Sequence, residues 1–184
     1  KKRIFMKKIF IVLAFLTISI SATFAQRVAY VDSEYVLRHI PEYNAAQKQL
    51  DDLSSQWQQD VDKQFGEIER LYKAYQNDQS LLNDAMRKRR EDEIVNKEKQ
   101  VKDFQKQKFG FEGELFNTRA RLMQPIQDRV AKAIQDIAKA QSLDLVLDKG
   151  AEAAFLFASP SIDKSNDVIT KLGLKPNPSL AESK

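Results

Sequence analysis

Residues 44–76 read NAAQKQLDDLSSQWQQDVDKQFGEIERLYKAYQ, and the spacing of their apolar side chains decides the fold. The stripe is Leu50, Leu53, Trp57, Val61, Phe65, Ile68, Tyr72 and Tyr75. Its seven steps cover 25 residues, a mean period of about 3.6, which marks one face of a straight helix. Asn77-Asp78-Gln79-Ser80 and Asn83-Asp84 then break the pattern and read as a tip or turn.

A second helix is expected from about Asp84 to Gln141. Ile94, Val101, Phe104, Phe111, Leu115 and Leu122 keep spacings of three, four or seven. Lys108 falls in the same register and interrupts the apolar seam. Glu69–Lys73, Glu93–Lys97 and Glu98–Lys102 are i,i+4 pairs, each contributing ~0.2–0.5 kcal/mol to a helix. Two amphipathic helices joined by a tight turn make an antiparallel hairpin. The outgoing helix would be roughly 50 Å long at the helical rise. A thin hairpin buries little apolar surface, so a body must come from the rest of the chain.

That body is assembled from the two ends. Residues 27–32, centred on Val28-Ala29-Tyr30-Val31, read as a strand. Asp32 or Ser33 can cap a short helix over Glu34–His39, and Pro41 suits the first turn of the next one. After the hairpin, Ile126, Val130, Ile134 and Ile137 form a helical stripe flanked by Ala131, Ala133 and Ala138. Leu143 to Asp148 and Ala153 to Ala158 read as two further strands, and Asp163 to Leu172 as a last helix stopped by Gly173. The expected class is α+β and predominantly helical, with a small β-rich oligomerisation body and one long helical-hairpin arm. Residues 26–43 and 125–174 form the body, 44–124 the arm, and 175–184 a frayed tail. Three strands leave open sheet edges, which a homo-oligomer would cover.

The N-terminus reads as an export signal. Met6-Lys7-Lys8 is basic, Ile9 to Ile20 is almost wholly apolar, and Thr23 and Ala25 are small residues at a cleavage pattern. Met6 reads as the true start, and cleavage after Ala25 would leave Gln26 first. The apolar run spans only ~18 Å, against a hydrocarbon core of ~30 Å, which favours a cleaved signal over an anchor. Residues 1–25 carry five basic side chains and no acidic one. Of the chain's 30 basic and 26 acidic residues, the mature part keeps 25 and 26. The pI near 9.1 therefore describes the signal more than the working protein. The chain has no cysteine, which excludes disulfides, thiolate metal sites and a Cys nucleophile. His39 is the only histidine, so no His pair can hold a metal. It lies near a helix end, where a charge–dipole contact accounts for it. No Gly-rich phosphate loop or nucleophile elbow occurs, so nothing points to an enzyme.

Beyond these readings, the layout resembles the Skp/OmpH family of periplasmic chaperones, in the form typical of Bacteroidetes-like bacteria. The carriers are Val28-Ala29-Tyr30-Val31-Asp32-Ser33, Ile40-Pro41-Glu42-Tyr43, Phe109-Gly110-Phe111-Glu112-Gly113-Glu114-Leu115, Gln124-Pro125-Ile126, and the block from Ala133 to Asp148. They are packing motifs, and their order behind a signal peptide carries the resemblance. It implies a homotrimer whose helical arms surround a cavity. There, unfolded outer-membrane β-barrel proteins are held in the periplasm without ATP or any cofactor. The family's best-known members have strongly basic arms, whereas residues 63–106 here carry eleven basic and nine acidic side chains.

Candidate client-binding residues are Phe104, Phe109, Phe111, Phe116, Tyr72 and Tyr75. Stripe spacing explains several of them as hairpin packing, whereas Phe109 and Phe116 lie off the Phe104/Phe111 line and suit the cavity face. Gly110 and Gly113 fall inside the second helix as read, as a flexible point of the arm or a place of close helix approach. Pro125 is expected to kink that helix where arm meets body. Arg87-Lys88-Arg89-Arg90 follows the tip and could meet lipid or lipopolysaccharide, although Glu91-Asp92-Glu93 directly behind it favours a solvated face. Export disfavours a nucleic-acid partner. The rival readings are a non-catalytic envelope tether, with the hairpin as spacer, and a lipid-binding accessory that uses the tip charges.

Overall fold

The computed structural model describes residues 26–150 and 157–180. The readings of residues 1–25 as a signal and of 153–156 as strand lie outside the described residues, whereas Phe157 and Ala158, read as the end of that strand, lie in irregular chain leading to the 3-10 turn. The order is β1 (Val28–Val31), α1 (Ser33–Arg38), α2 (Pro41–Asp78), α3 (Asp84–Phe109), α4 (Glu114–Ala140), β2 (Leu145–Asp148) and α5 (Ser165–Lys171), with short 3-10 turns at Pro160–Ile162 and Pro178–Leu180. The protein is α+β and mainly helical, as the apolar periods indicate.

The hairpin follows from local chemistry. Pro41 opens α2, where its missing N–H is not needed. At the tip, Asn83 Oδ1 accepts the Met86 backbone N–H at 2.9 Å and starts α3. The seam between α2 and α3 has its own small core of Val61, Ile68, Ile94 and Val101, flanked by Leu71, Tyr75 and Phe104. Val61, Ile68 and Tyr75 are seven apart, as are Ile94, Val101 and Lys108. That is a coiled-coil period of 3.5, whereas the apolar stripe from Leu50 to Tyr75 has a mean period of about 3.6. The difference puts Phe65 and Tyr72 beside the seam, where both are exposed.

The return limb is two helices and not one. It stops at Phe109, turns through Gly110 to Gly113, and restarts at Glu114. Gly110 and Gly113 therefore cap helix ends and do not sit in a helix interior. A Cβ on Gly110 would stand 2.3 Å from the Lys106 carbonyl oxygen, and one on Gly113 would stand 2.8 Å from the Gly110 oxygen. Close backbone approach requires glycine at both places. Glu112, at φ 57°, carries the left-handed step of the turn. Asn117 Nδ2 donates to the Glu112 carbonyl at 2.8 Å and fastens the elbow to α4. Pro125 lies within α4, which runs unbroken from Glu114 to Ala140, so the break in the limb falls at the elbow.

The body wraps the lower half of α4. Ile126, Val130, Ala133 and Ile137 on α4 pack with Val31, Val36, Ile40, Val168 and Ile169. Ala46, Leu50 and Met123 join the same core, so the body reaches further up the arm than residues 43 and 125. β1 and β2 pair in parallel, from Val28 opposite Leu145 to Val31 opposite Asp148. A bridge from Tyr30 to Asp163 and a bond from Lys164 N–H to the Tyr30 carbonyl at 2.9 Å attach the last helical segment. Asp32 is the cap of α1, accepting the Tyr35 N–H at 2.9 Å. Burial, and then the charge of Asp163, raises the phenol pKa of both Tyr30 and Tyr35. Residues 175–180, expected as part of a frayed tail, are held on the body, where Leu174 and Leu180 pack against the core.

Candidate functional site

The elbow gathers four of the aromatic side chains that the sequence singled out, Phe104, Phe109, Phe111 and Phe116. Trp57 on α2 is buried, and the Phe109 ring meets it edge-on at 6.1 Å between centroids. Lys108 Nζ lies 4.7 Å above the Trp57 ring and 5.6 Å from Phe104, and it is ion-paired with Glu114 across the break. The lysine that interrupts the apolar seam is thus held by a cation–π contact. It joins the last turn of α3 to the first residue of α4.

Phe111, at the outer side of the turn, is 91% exposed. Its ring centroid lies 6.1 Å from that of Phe116, which is 53% exposed. Phe116 also borders a cleft of about 340 Å³ between α2 and α4, lined by Leu37, Tyr43, Arg119 and Met123 among others. Higher on the arm, Phe65 and Tyr72 are 42% and 51% exposed. Phe111 and Phe116 are the exposed aromatic pair in mutual contact, and contiguous exposed apolar surface, unlike scattered single residues, is a feature of interaction sites.

The candidates divide. Phe111, Phe116 and Tyr72 stand in solvent, and Phe109 is shared between the Trp57 contact and solvent. Phe104 and Tyr75 are partly buried against the arm seam. Tyr75 Oη donates to Glu91 of α3, and this hydrogen bond raises its phenol pKa, with smaller contributions from desolvation and the Glu91 charge. Phe65 is an exposed aromatic missed as a site residue, because stripe spacing placed it in the packing face. Trp57 and Lys108 were missed as a joint. Their contact links positions 51 residues apart across the hairpin, and no local pattern signals it.

The basic run after the tip is partly committed. Arg87 donates to the Leu82 carbonyl at 3.2 Å and lies 3.8 Å from Asp84, while Arg90 pairs with Glu93 at 3.2 Å. Lys88 and Arg89 remain exposed. Leu81, at the tip, is 84% exposed. Among the predicted i,i+4 pairs, Glu69–Lys73 forms at 2.6 Å. It holds the Glu69 carboxyl pKa below the usual range, first through the hydrogen bond and then through the lysine charge. Glu93–Lys97 does not form, because Arg90 takes Glu93 and Lys97 reaches across to Glu67 at 3.7 Å. Glu98–Lys102 is also absent among the described residues. No group of His, Asp or Glu among the described residues is placed to hold a metal ion. No described helix is long and apolar enough to cross a membrane.

The family model for outer membrane protein (OmpH-like) matches residues 27–172. The chain belongs to the OmpH-like family. That match takes in the body, the hairpin and the elbow. One similar solved structure is a proposed outer membrane chaperone (OmpH-like) from Caulobacter crescentus CB15. It is 15% identical, with a TM-score of 0.63 over 80% of this chain and 83% of that one. The likeness shows that the OmpH-like fold is shared. No curated protein matches the sequence.

Proposed function

We propose that this OmpH-like protein is an ATP-independent holdase of the periplasm, which binds unfolded outer-membrane β-barrel proteins and keeps them from aggregating. The observation that carries the reading is the exposed aromatic surface of the elbow and arm: Phe111 and Phe116 in contact with each other, with Phe65 and Tyr72 above them. Unfolded chains share sequence character but no shape. A binder for them needs apolar contact that tolerates many geometries. Aromatic rings on a slender arm supply that, and none of them is locked in a closed pocket.

Each such contact is weak. Affinity would come from several arms engaging one client at once, at high effective concentration. Self-association would supply this arrangement. Leu145 and Leu147 on β2 and nearby Phe157 are exposed on a very small sheet, and a small sheet with apolar exposure is covered by association. A homotrimer through the body would set three arms around one cavity. Release needs no nucleotide, because the client's folded barrel pairs its own backbone and buries its own apolar face. The protein acts by binding and performs no chemistry on its client. Lipid or lipopolysaccharide contact at Lys88 and Arg89 is a secondary expectation of the exposed tip charges.

The test is site-specific capture. A photo-crosslinking phenylalanine analogue at position 111 or 116 should trap a urea-diluted barrel protein and ignore the same protein once folded. The same analogue at exposed Gln59, away from the elbow rings, should trap far less. Equal capture at all three positions would remove the elbow from the binding surface.

A further inference from the structure

We propose that residues 173–180 form a strap which His39 holds on the body only while its imidazole is neutral, so that acidification releases the strap. The ring is bonded at both nitrogens. Nδ1 lies 2.8 Å from the Tyr35 carbonyl oxygen. A carbonyl can only accept, so Nδ1 carries the proton. Nε2 lies 2.8 Å from the backbone N–H of Asn177, which donates to it. Nε2 must therefore offer a lone pair. Only the neutral Nδ1–H tautomer satisfies both partners. A protonated imidazole has two N–H donors and no acceptor, so it would set an N–H against the Asn177 N–H.

The rest of the geometry positions the strap for that bond. Tyr35 fixes the ring, with its own ring edge-on at 4.5 Å. Asn177 organises the strap from inside, its Oδ1 accepting from both the N–H and the hydroxyl of Ser179, at 3.2 and 2.9 Å. Leu174 and Leu180 on either side of Asn177 rest on the body core. Gly173, at φ 80°, makes the reversal that sends the strap back from α5. The charged side chains that α1, the first turn of α2 and the strap bring to this end of the body are Glu34, Arg38, Glu42 and Lys175. Glu42 is already bonded to Arg129 at 3.1 Å, and both ring nitrogens are taken by backbone groups. The strap lies beyond residues 27–172, which carry the family match. Its release would uncover the apolar surface under Leu174 and Leu180.

The absence of cysteine allows a clean experiment. A nitroxide on Lys175→Cys, an exposed position of the strap, in the chain from residue 26 onward, reads the strap's motion between pH 8 and 5. The wild-type His39 background should give a restricted label at pH 8 and a fast one at pH 5. His39→Gln should show one mobility at every pH, and His39→Ala a fast label throughout. Far-ultraviolet circular dichroism should stay constant in all three, showing that the arms remain folded. Imidazole nitrogen shifts at pH 8 should show Nδ1 protonated and Nε2 bare. A wild-type label whose mobility does not change with pH would overturn the proposal. So would a His39→Gln curve that follows the wild type, or an Nε2–H tautomer at pH 8.

Discussion

Replacing Trp57 by alanine should loosen the elbow and leave the body intact. Trp57 is buried between the arm seam and the body, against Phe109 and under Lys108. Truncating a buried Trp in a closed core costs about 3–5 kcal/mol. The arm is only two helices thick here, so water can fill the gap, and the low end of that range applies. The edge-on ring contact and the cation–π contact are included in that loss. A cost near 3 kcal/mol corresponds to a rise of roughly a hundredfold in the local opening equilibrium, at about 1.4 kcal/mol per decade. The arm core around Val61 and Val101 and the body core around Ile40 and Ile169 are separate clusters. The loss should therefore appear as sub-global opening. Amide hydrogen exchange reads it directly. Amides of residues 101–110 should exchange about a hundredfold faster, while those of Val36 and Ile169 keep their rates. Trp57→Phe keeps an aromatic ring against Phe109 and should recover most of the protection. Equal acceleration in arm and body would refute the idea of two independent cores, and unchanged exchange at 101–110 would refute the elbow joint.

The other expectations are smaller in scope. Ile40→Ala, at a fully buried position in the body, should cost about 2–5 kcal/mol and shift the main denaturation midpoint. Glu114→Gln removes the partner of Lys108 across the break; since the carboxylate is half exposed, the loss should stay below about 1 kcal/mol and vanish in high salt, as urea midpoints at two ionic strengths would show. The Arg129 hydrogen bond, followed by a backbone hydrogen bond, holds the Glu42 carboxyl pKa below its ordinary value, with a smaller contribution from the Arg129 charge. A depressed folded-state pKa gives stability that is present above the ordinary carboxyl range and lost as pH falls through the depressed value. Arg129→Met should therefore flatten the acid side of the stability curve, measured as urea midpoints between pH 7 and 3. Phe111→Ser with Phe116→Ser should leave the thermal midpoint nearly unchanged, because both rings are exposed, yet weaken client binding several-fold in a fluorescence titration.

Much of the fold could be read from periodicity. Pro41, the Asn83 cap and the Ile126–Ile137 stripe report local preferences, and local preferences set helix starts and core faces. Two things could not be read in that way. Over eight positions the difference between a 3.6 and a 3.5 period is small, yet it moves Phe65 and Tyr72 out of the seam. The Gly110–Gly113 break was hidden because Phe104, Phe111, Leu115 and Leu122 keep helical spacing across it, even though Phe111 ends in solvent. The candidate site was partly legible for the same reason. Exposed and buried aromatic residues look alike in sequence, and Phe104 and Phe111 are told apart only by what faces them. His39 shows the limit most clearly. Its partner Asn177 is 138 residues away, and only the folded chain brings the two together.

The central claim is that this protein keeps unfolded barrel proteins soluble by binding alone. Light scattering of a urea-unfolded outer-membrane barrel protein, diluted into nucleotide-free buffer with increasing amounts of residues 26–184, tests it most directly. The account predicts that scattering falls and levels off near one trimer per client, and that Phe111→Ser with Phe116→Ser needs several times more protein. Undiminished aggregation at several-fold excess of a sample shown to be folded and helical would contradict it.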